Sequence, residues 1–218
     1  MFDNVFFLPW VGCNYERGGI FKKRILVVGD SHYCSDCTEC GVLNPKAKAS
    51  EFECRNLTKD CIEGYLDDSV SFQKWMGTFR RFERALSGNL SSTRSESKEI
   101  WQSLAFYNFV QTANKDKPRE PYSQEAYEKS LPCFWEVIEG LNPDLVIVWG
   151  SRVWNHLPSE NWNYTKPIDS YSEVGAYTVN GKEFPFILSC HPSSSLFSYD
   201  KWVRIFKEFL STCISDSI

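Results

Sequence analysis

Short apolar runs that pass straight into polar loops restrict the folds open to this chain. Ile25-Leu26-Val27-Val28 runs into Gly29-Asp30-Ser31-His32-Tyr33, Asp144 to Trp149 runs into Gly150, and Phe184 to Ser189 runs into Cys190-His191-Pro192-Ser193-Ser194-Ser195. Continuous apolar runs of this length, β-branched in Ile25 to Gly29, suit strands buried on both faces, the pattern of a parallel sheet. Leu104 to Val110 reads as a further strand of the same kind.

Helical patterns lie between these runs. Phe72, Trp75, Met76, Phe79, Phe82 and Leu86 recur at helical spacing within Ser69 to Leu86, and Ser87-Gly88-Asn89 ends that helix. Leu90 to Ser97 is Ser-rich and reads as a loop. Ser123-Gln124-Glu125-Ala126 is an N-cap signature for a helix running to about Leu141, where Asn142-Pro143 breaks it. A short helix follows Gly150 through His156. Asn180-Gly181 between apolar runs is a hairpin signal. Tyr199 to Cys213 forms a terminal helix with Trp202, Ile205, Phe206, Phe209 and Leu210 on one side. Strands alternating with helices predict an α/β fold, a three-layer α/β/α sandwich around a mostly parallel four-stranded sheet. No repeat or linker divides residues 1–218, so one domain is expected, with a Cys-rich insertion at 34–61.

Composition narrows the function classes. A formal net charge of −4 is not the footprint of a protein that coats nucleic acid nonspecifically, although it leaves room for a local basic groove. The aromatic share of 16% fits either a heavy core or stacking surfaces for bases. No apolar stretch reaches the length of a bilayer span. Met1 to Trp10 is apolar but lacks a basic leader and a small-residue cleavage site, so the cytoplasm is the expected compartment. The nine cysteines are then expected to be reduced. Cys34, Cys37 and Cys40 stand at two-residue gaps, with Cys54 and Cys61 following. Such spacing suits a structural Zn²⁺ or an iron–sulfur cluster, or else plain thiols in a loop.

In an open α/β sheet, ligands bind outside the carboxyl ends of the strands. Those ends carry Asp30-Ser31-His32-Tyr33, then Asn108, then His191-Pro192-Ser193. Ser31 and Ser193 can also be read as helix caps, Asn108 as a buried turn former, and His191 as a core histidine.

The order of these blocks resembles the uracil-DNA glycosylase superfamily: a Gly-led motif after the first strand, an Asn in a middle strand, and a late His-Pro-Ser. Asn108-Phe109-Val110-Gln111 followed by Lys117-Pro118-Arg119-Glu120-Pro121 is similar to that family's Asn-containing strand and the loop after it. Leu131-Pro132-Cys133-Phe134 and Pro143-Asp144-Leu145-Val146-Ile147-Val148-Trp149-Gly150 are similar to its next helix and strand.

The resemblance implies hydrolysis of the N-glycosidic bond of uracil or a related damaged base in DNA. It implies that His191 stabilises the departing base anion, that Asn108 reads the base edge with its amide, and that Tyr33 walls the pocket. Gly29 and Ser193 would line that pocket. Ser31 stands where the best-known branch has Asp, and Asp30 stands where other branches place a water-orienting Glu or Gln. Leu196 or Phe197 matches the residue that wedges into the duplex as the nucleotide flips out, the alternative being core packing. Some branches hold an iron–sulfur cluster. Cys133 fits one ligand position, but Gln111 occupies another, so a structural Zn²⁺ on Cys34, Cys37, Cys40 and Cys54 is the preferred metal reading. Lys115, Lys117 and Arg119 are candidates for phosphate contacts, while Arg80, Arg81 and Arg84 read as a solvated helix face. The implied partner is DNA containing a damaged base, with neither membrane nor protein partner indicated.

Two other functions stay open. Gly29-Asp30-Ser31 is similar to the first block of the Gly-Asp-Ser esterases, with Ser31 as nucleophile and His191 as base. That family's orienting Asp three residues before the histidine is Leu188 here, and the Gly of its Gly-x-Asn block is Phe106. A non-catalytic module that binds nucleic acid or a nucleotide is the other.

Overall fold

The computed structural model describes residues 2–33, 40–43, 54–113, 122–170 and 172–212. Its strands are β1 (Trp10–Val11), β2 (Ile25–Gly29), β3 (Leu104–Asn108), β4 (Leu145–Trp149), β5 (Trp162–Thr165), β6 (Val174–Val179) and β7 (Lys182–Ser189). The α-helices are α1 (Leu57–Leu66), α2 (Met76–Ser87), α3 (Arg94–Gln102), α4 (Gln124–Leu141), α5 (Ser151–Trp154) and α6 (Tyr199–Thr212). All of the strands join one seven-stranded sheet, in the order β1-β3-β2-β4-β7-β6-β5. The run β3-β2-β4-β7 is parallel, and β1, β6 and β5 add antiparallel edges.

The four strands expected from apolar runs are therefore the parallel centre of a wider sheet. The edge strands escape notice because β1 is only two residues long and β5 is mostly exposed, so neither carries a buried run. The Asn180-Gly181 hairpin forms as expected: both residues take positive φ, and Val179 pairs with Lys182 across the turn.

Alternate side chains of the central strands enter two separate apolar clusters, as a period of two dictates. Ile25, Val27, Ile147 and Ile187 pack with α1, α2, α3 and α6. Leu26, Val28, Val146 and Phe186 pack with α4 and with Val153 of α5. Where the chain enters the sheet, Arg24 hydrogen-bonds Asp144 through its backbone N–H and through a guanidinium nitrogen, at 2.8 Å each, which aligns the amino ends of β2 and β4.

The helices correct two sequence readings. Helix α2 starts at Met76, so Phe72 and Trp75 lie before it and are exposed. Leu90 to Ser97 is not simply a loop. Thr93 and Glu96 form a reciprocal capping box that starts α3. Helix α3 then closes over Glu83, a fully buried carboxylate of α2. Its oxygens accept from Ser97 Oγ at 2.5 Å, Ser92 Oγ at 3.1 Å and Trp101 Nε1 at 2.8 Å. Glu83→Ala strands the buried indole and hydroxyl donors, so a loss of about 3 kcal/mol is expected from urea unfolding midpoints. Glu83→Gln should lose less.

Candidate active site

The chain leaves β2 to form β3 on one side and returns to form β4 on the other, so the strand order reverses at β2. Such a switch point opens a crevice beyond the carboxyl ends of the strands. Parallel pairing puts Gly29 beside Asn108 and Trp149 beside Ser189. Asp30, Asn108, Gly150 and His191 consequently lie along one edge of the sheet.

The β2–β3 end is tightly fitted. A Cβ on Gly29 would lie 2.3 Å from Asn108 Oδ1 and 3.0 Å from the Phe106 ring, so only glycine fits beneath the Asn108 amide. The ladder continues past both strands: Phe109 N–H donates to Gly29 O and Val110 N–H to Asp30 O, each at 2.9 Å. Gln111 donates to Asn108 O at 2.8 Å while its own carbonyl accepts from Phe7 N–H at 2.7 Å. Position 111 thus braces the strand end.

Asn108 Nδ2 lies 3.2 Å from His32 Nδ1, and His32 Nε2 lies 2.9 Å from Thr58 Oγ1. The amide nitrogen only donates and lies 3.3 Å from Nε2 as well; with Nδ1 as its acceptor, Nε2–H donates to Thr58. His32 had no role in the sequence reading, and here it orients the Asn108 amide. It is buried beside Phe7, and burial pushes its pKa from 6.5 down to about 3. The unfolded chain therefore takes up a proton below pH ~6.5 that the folded chain refuses. The stability that neutral His32 provides is complete above that value and is lost as pH falls toward about 3. In urea titrations across this window, His32→Asn should flatten the acid loss by on the order of 4 kcal/mol at its lower end.

Asp30 follows β2 and meets Arg152, in α5 just beyond β4: Arg152 Nη1 donates to Asp30 Oδ2 at 2.8 Å. Burial raises the Asp30 pKa, and the charge and hydrogen bond of Arg152 oppose that rise. Tyr127 of α4 stands in the same field. Burial, reinforced by the Asp30 charge, pushes its phenol up to about 12. Its ring stacks on His156, with centroids 3.5 Å apart, and His156 Nδ1 donates to Arg152 O at 2.7 Å. Asp30 Oδ1, Ser31 Oγ and Trp149 Nε1 are buried and find no hydrogen-bond partner among the described residues. Asp30 and Ser31 are consecutive at the carboxyl end of β2, so two unsatisfied buried oxygens adjoin the crevice, the kind of group a ligand or water satisfies.

His191 closes the other flank. Its Nδ1 accepts from Ser193 N–H at 3.2 Å and from Ser193 Oγ at 2.8 Å. A backbone N–H cannot accept, so the proton of the neutral ring sits on Nε2. Burial, aided by the nearby Arg152 charge, lowers the His191 pKa to about 4. The imidazole is therefore neutral at pH 7, with Nε2–H available as a donor. Gly150 has φ 85°, and a Cβ there would lie 3.3 Å from His191 Cβ, so the end of β4 needs glycine to admit the histidine.

The loop after His191 is pinned from α2. Arg81 donates to Ser194 O at 2.9 Å and to Phe197 O at 2.7 Å, so it is not a solvated helix cation. Phe197 is core, whereas Leu196 stands 81% exposed at the tip of the turn. Of the candidate wedge residues, only Leu196 is free to contact a partner. Tyr33 lies beside the same edge and is 49% exposed.

Sequence reasoning missed Arg152 and Tyr127, gave His32 no role and read Arg81 as part of a solvated helix face. Only Arg152 left a trace, a cation just after a Gly-ended strand. Cys34, Cys37, Lys115, Lys117 and Arg119 lie outside the described residues. Cys40 is buried with Phe7 and Ala113 in a small apolar cluster against which Cys54 packs. The Cys-rich segment includes the start of α1, where burial pushes the Cys61 thiol up to about 11. Cys133 is likewise pushed up to about 11 by burial, and its thiol donates to Asn4 O at 3.3 Å. Among the described residues, no group of potential metal ligands is arranged around a common centre, and no helix is long and apolar enough to cross a membrane. No family model and no curated protein matches this chain.

Proposed function

We propose that the chain is a glycosylase-type hydrolase that removes uracil or a related damaged base from DNA, on a three-layer α/β/α version of its mixed sheet. The observation that carries this reading is the placing of two groups at neighbouring strand ends: Asp30 with Oδ2 on Arg152 and Oδ1 unpartnered, and His191 with its Nδ1 held by Ser193. Asp30 Oδ2 is fixed by Arg152, which leaves Oδ1 to accept a hydrogen bond from the attacking water. That water adds to the sugar carbon as the bond to the base nitrogen breaks, and its proton passes to Asp30. The base leaves as an anion, and His191 Nε2–H donates to the oxygen on which that charge collects. Asn108, held by His32, offers Oδ1 and its remaining N–H to the base edge. A structural Zn²⁺ would take Cys34, Cys37, Cys40 and Cys54 as thiolate ligands.

The esterase alternative is less well supported. Ser31 Oγ has no histidine partner among the described residues, and His191 Nδ1 is taken by Ser193 rather than by a carboxylate. The test is incubation of the purified chain with oligodeoxynucleotides carrying a single uracil, followed by alkali. Strand breakage at the uracil position is expected. Intact strands together with hydrolysis of a p-nitrophenyl ester would sink the reading.

A further inference from the structure

Resting on the reading that the strand-end site takes nucleic acid, we infer that Phe72 and Trp75, before α2, form a stacking platform for single-stranded DNA beside that site. Residues 71–75 are all exposed, and among them Phe72 is 49% and Trp75 40% exposed. Large rings left this exposed within one short segment form apolar surface of the kind that marks a contact site.

The rings are held rather than loose. Trp75 Nε1 donates to Gln73 Oε1 at 2.7 Å, and the indole meets Phe79 edge-on at 5.8 Å. The Arg80 guanidinium lies 3.8 Å from the Phe72 centroid. A fixed aromatic face loses little entropy when a base stacks on it. Its position also fits. Phe79 lies 6.1 Å from Trp149, which lies 5.9 Å from His191, so a short chain of rings links Trp75 to the catalytic histidine. The helix that follows the platform also pins the Leu196 turn through Arg81.

Charge selects the occupant. Besides Arg81, which pins the Leu196 turn, residues 69–84 contain Lys74, Arg80 and Arg84, and their only acid, Glu83, is fully buried. The neighbouring Asp68 is paired with Arg94 at 3.2 Å and Lys98 at 2.7 Å, and Asp67 accepts from Ser69 at 2.8 Å. Exposed aromatic rings in a segment rich in cations suit a strand with unstacked bases and a phosphate backbone. A fully paired duplex offers no base faces to such rings.

The test is fluorescence anisotropy with a labelled oligodeoxythymidine 12-mer, which carries no excisable uracil. Trp75→Ala should weaken binding by about 10- to 100-fold, and Trp75→Phe should stay within about threefold of the parent. Circular dichroism monitors folding, and Phe72→Ala is read in the same way if Trp75→Ala does not fold. A parent that fails to bind the 12-mer, or ring-deleted variants that bind as well as the parent, would overturn the platform. So would a concentration-dependent dimer that Trp75→Ala abolishes, since the patch would then be a contact between copies. Uracil release is scored separately with the uracil oligonucleotide. An active enzyme whose 12-mer binding ignores Trp75 refutes the platform alone, whereas Trp75-dependent binding without base release refutes only the chemistry.

Discussion

Asp30→Asn is expected to slow release of uracil by about 100- to 1,000-fold while leaving affinity for uracil-containing DNA within a few-fold. The substitution keeps the shape and one hydrogen bond to Arg152 but removes the lone pair that takes the proton from water. The pH profile carries the same signature. The Asp30 pKa is raised by burial against the opposing pull of Arg152, and only the carboxylate is active. The rate should therefore fall as pH drops, with its midpoint above the ordinary carboxylate range, and reach a plateau on the alkaline side. Single-turnover assays across that range read this limb directly. Ser31→Ala provides the contrast. If Ser31 were a nucleophile its loss would abolish turnover, whereas the present account expects a change of less than about tenfold.

His191→Ala is expected to cost about 100- to 1,000-fold in the same assay, the usual penalty for deleting one donor to a developing oxyanion. The donor works because it is preorganised. Ser193 supplies two hydrogen bonds to Nδ1, which fixes the tautomer, and a pKa near 4 keeps the ring neutral through the working range. An ordinary histidine would impose a titration near pH ~6.5. Here the profile should be flat through that value, and a step near it would mean that the ring is not held as described. The loss should shrink for a base with a more acidic glycosidic nitrogen, because a better leaving group needs less help. Single-turnover rates for uracil and 5-fluorouracil in the same strand context compare the two.

The centre of the fold was legible because burial on both faces writes itself as an unbroken apolar run. Ile25 to Gly29 and Leu145 to Trp149 are read almost residue for residue. The edges were not legible, since β1 and β5 make their hydrogen bonds with little buried side-chain area. Helix α3 was hidden by its own cap. Ser and Thr near a helix start look like loop composition until Glu96 is seen to close the box with Thr93. Within the site, Asp30, Asn108 and His191 could be named from strand-end position. Their second contacts could not, because Arg152, His32 and Ser193 act through hydrogen bonds that depend on the register between β2, β3, β4 and β7. Phe72 and Trp75 were misassigned because helical spacing alone does not say where the helix begins.

The most direct measurement is mass spectrometry of the base set free from a uracil-containing oligonucleotide, together with the mass of the strand left behind. The account predicts free uracil and a strand with an abasic site in equal amounts, both reduced at least 100-fold in Asp30→Asn and in His191→Ala. An intact uracil strand with the parent enzyme, or uracil release that survives both substitutions unchanged, would contradict it.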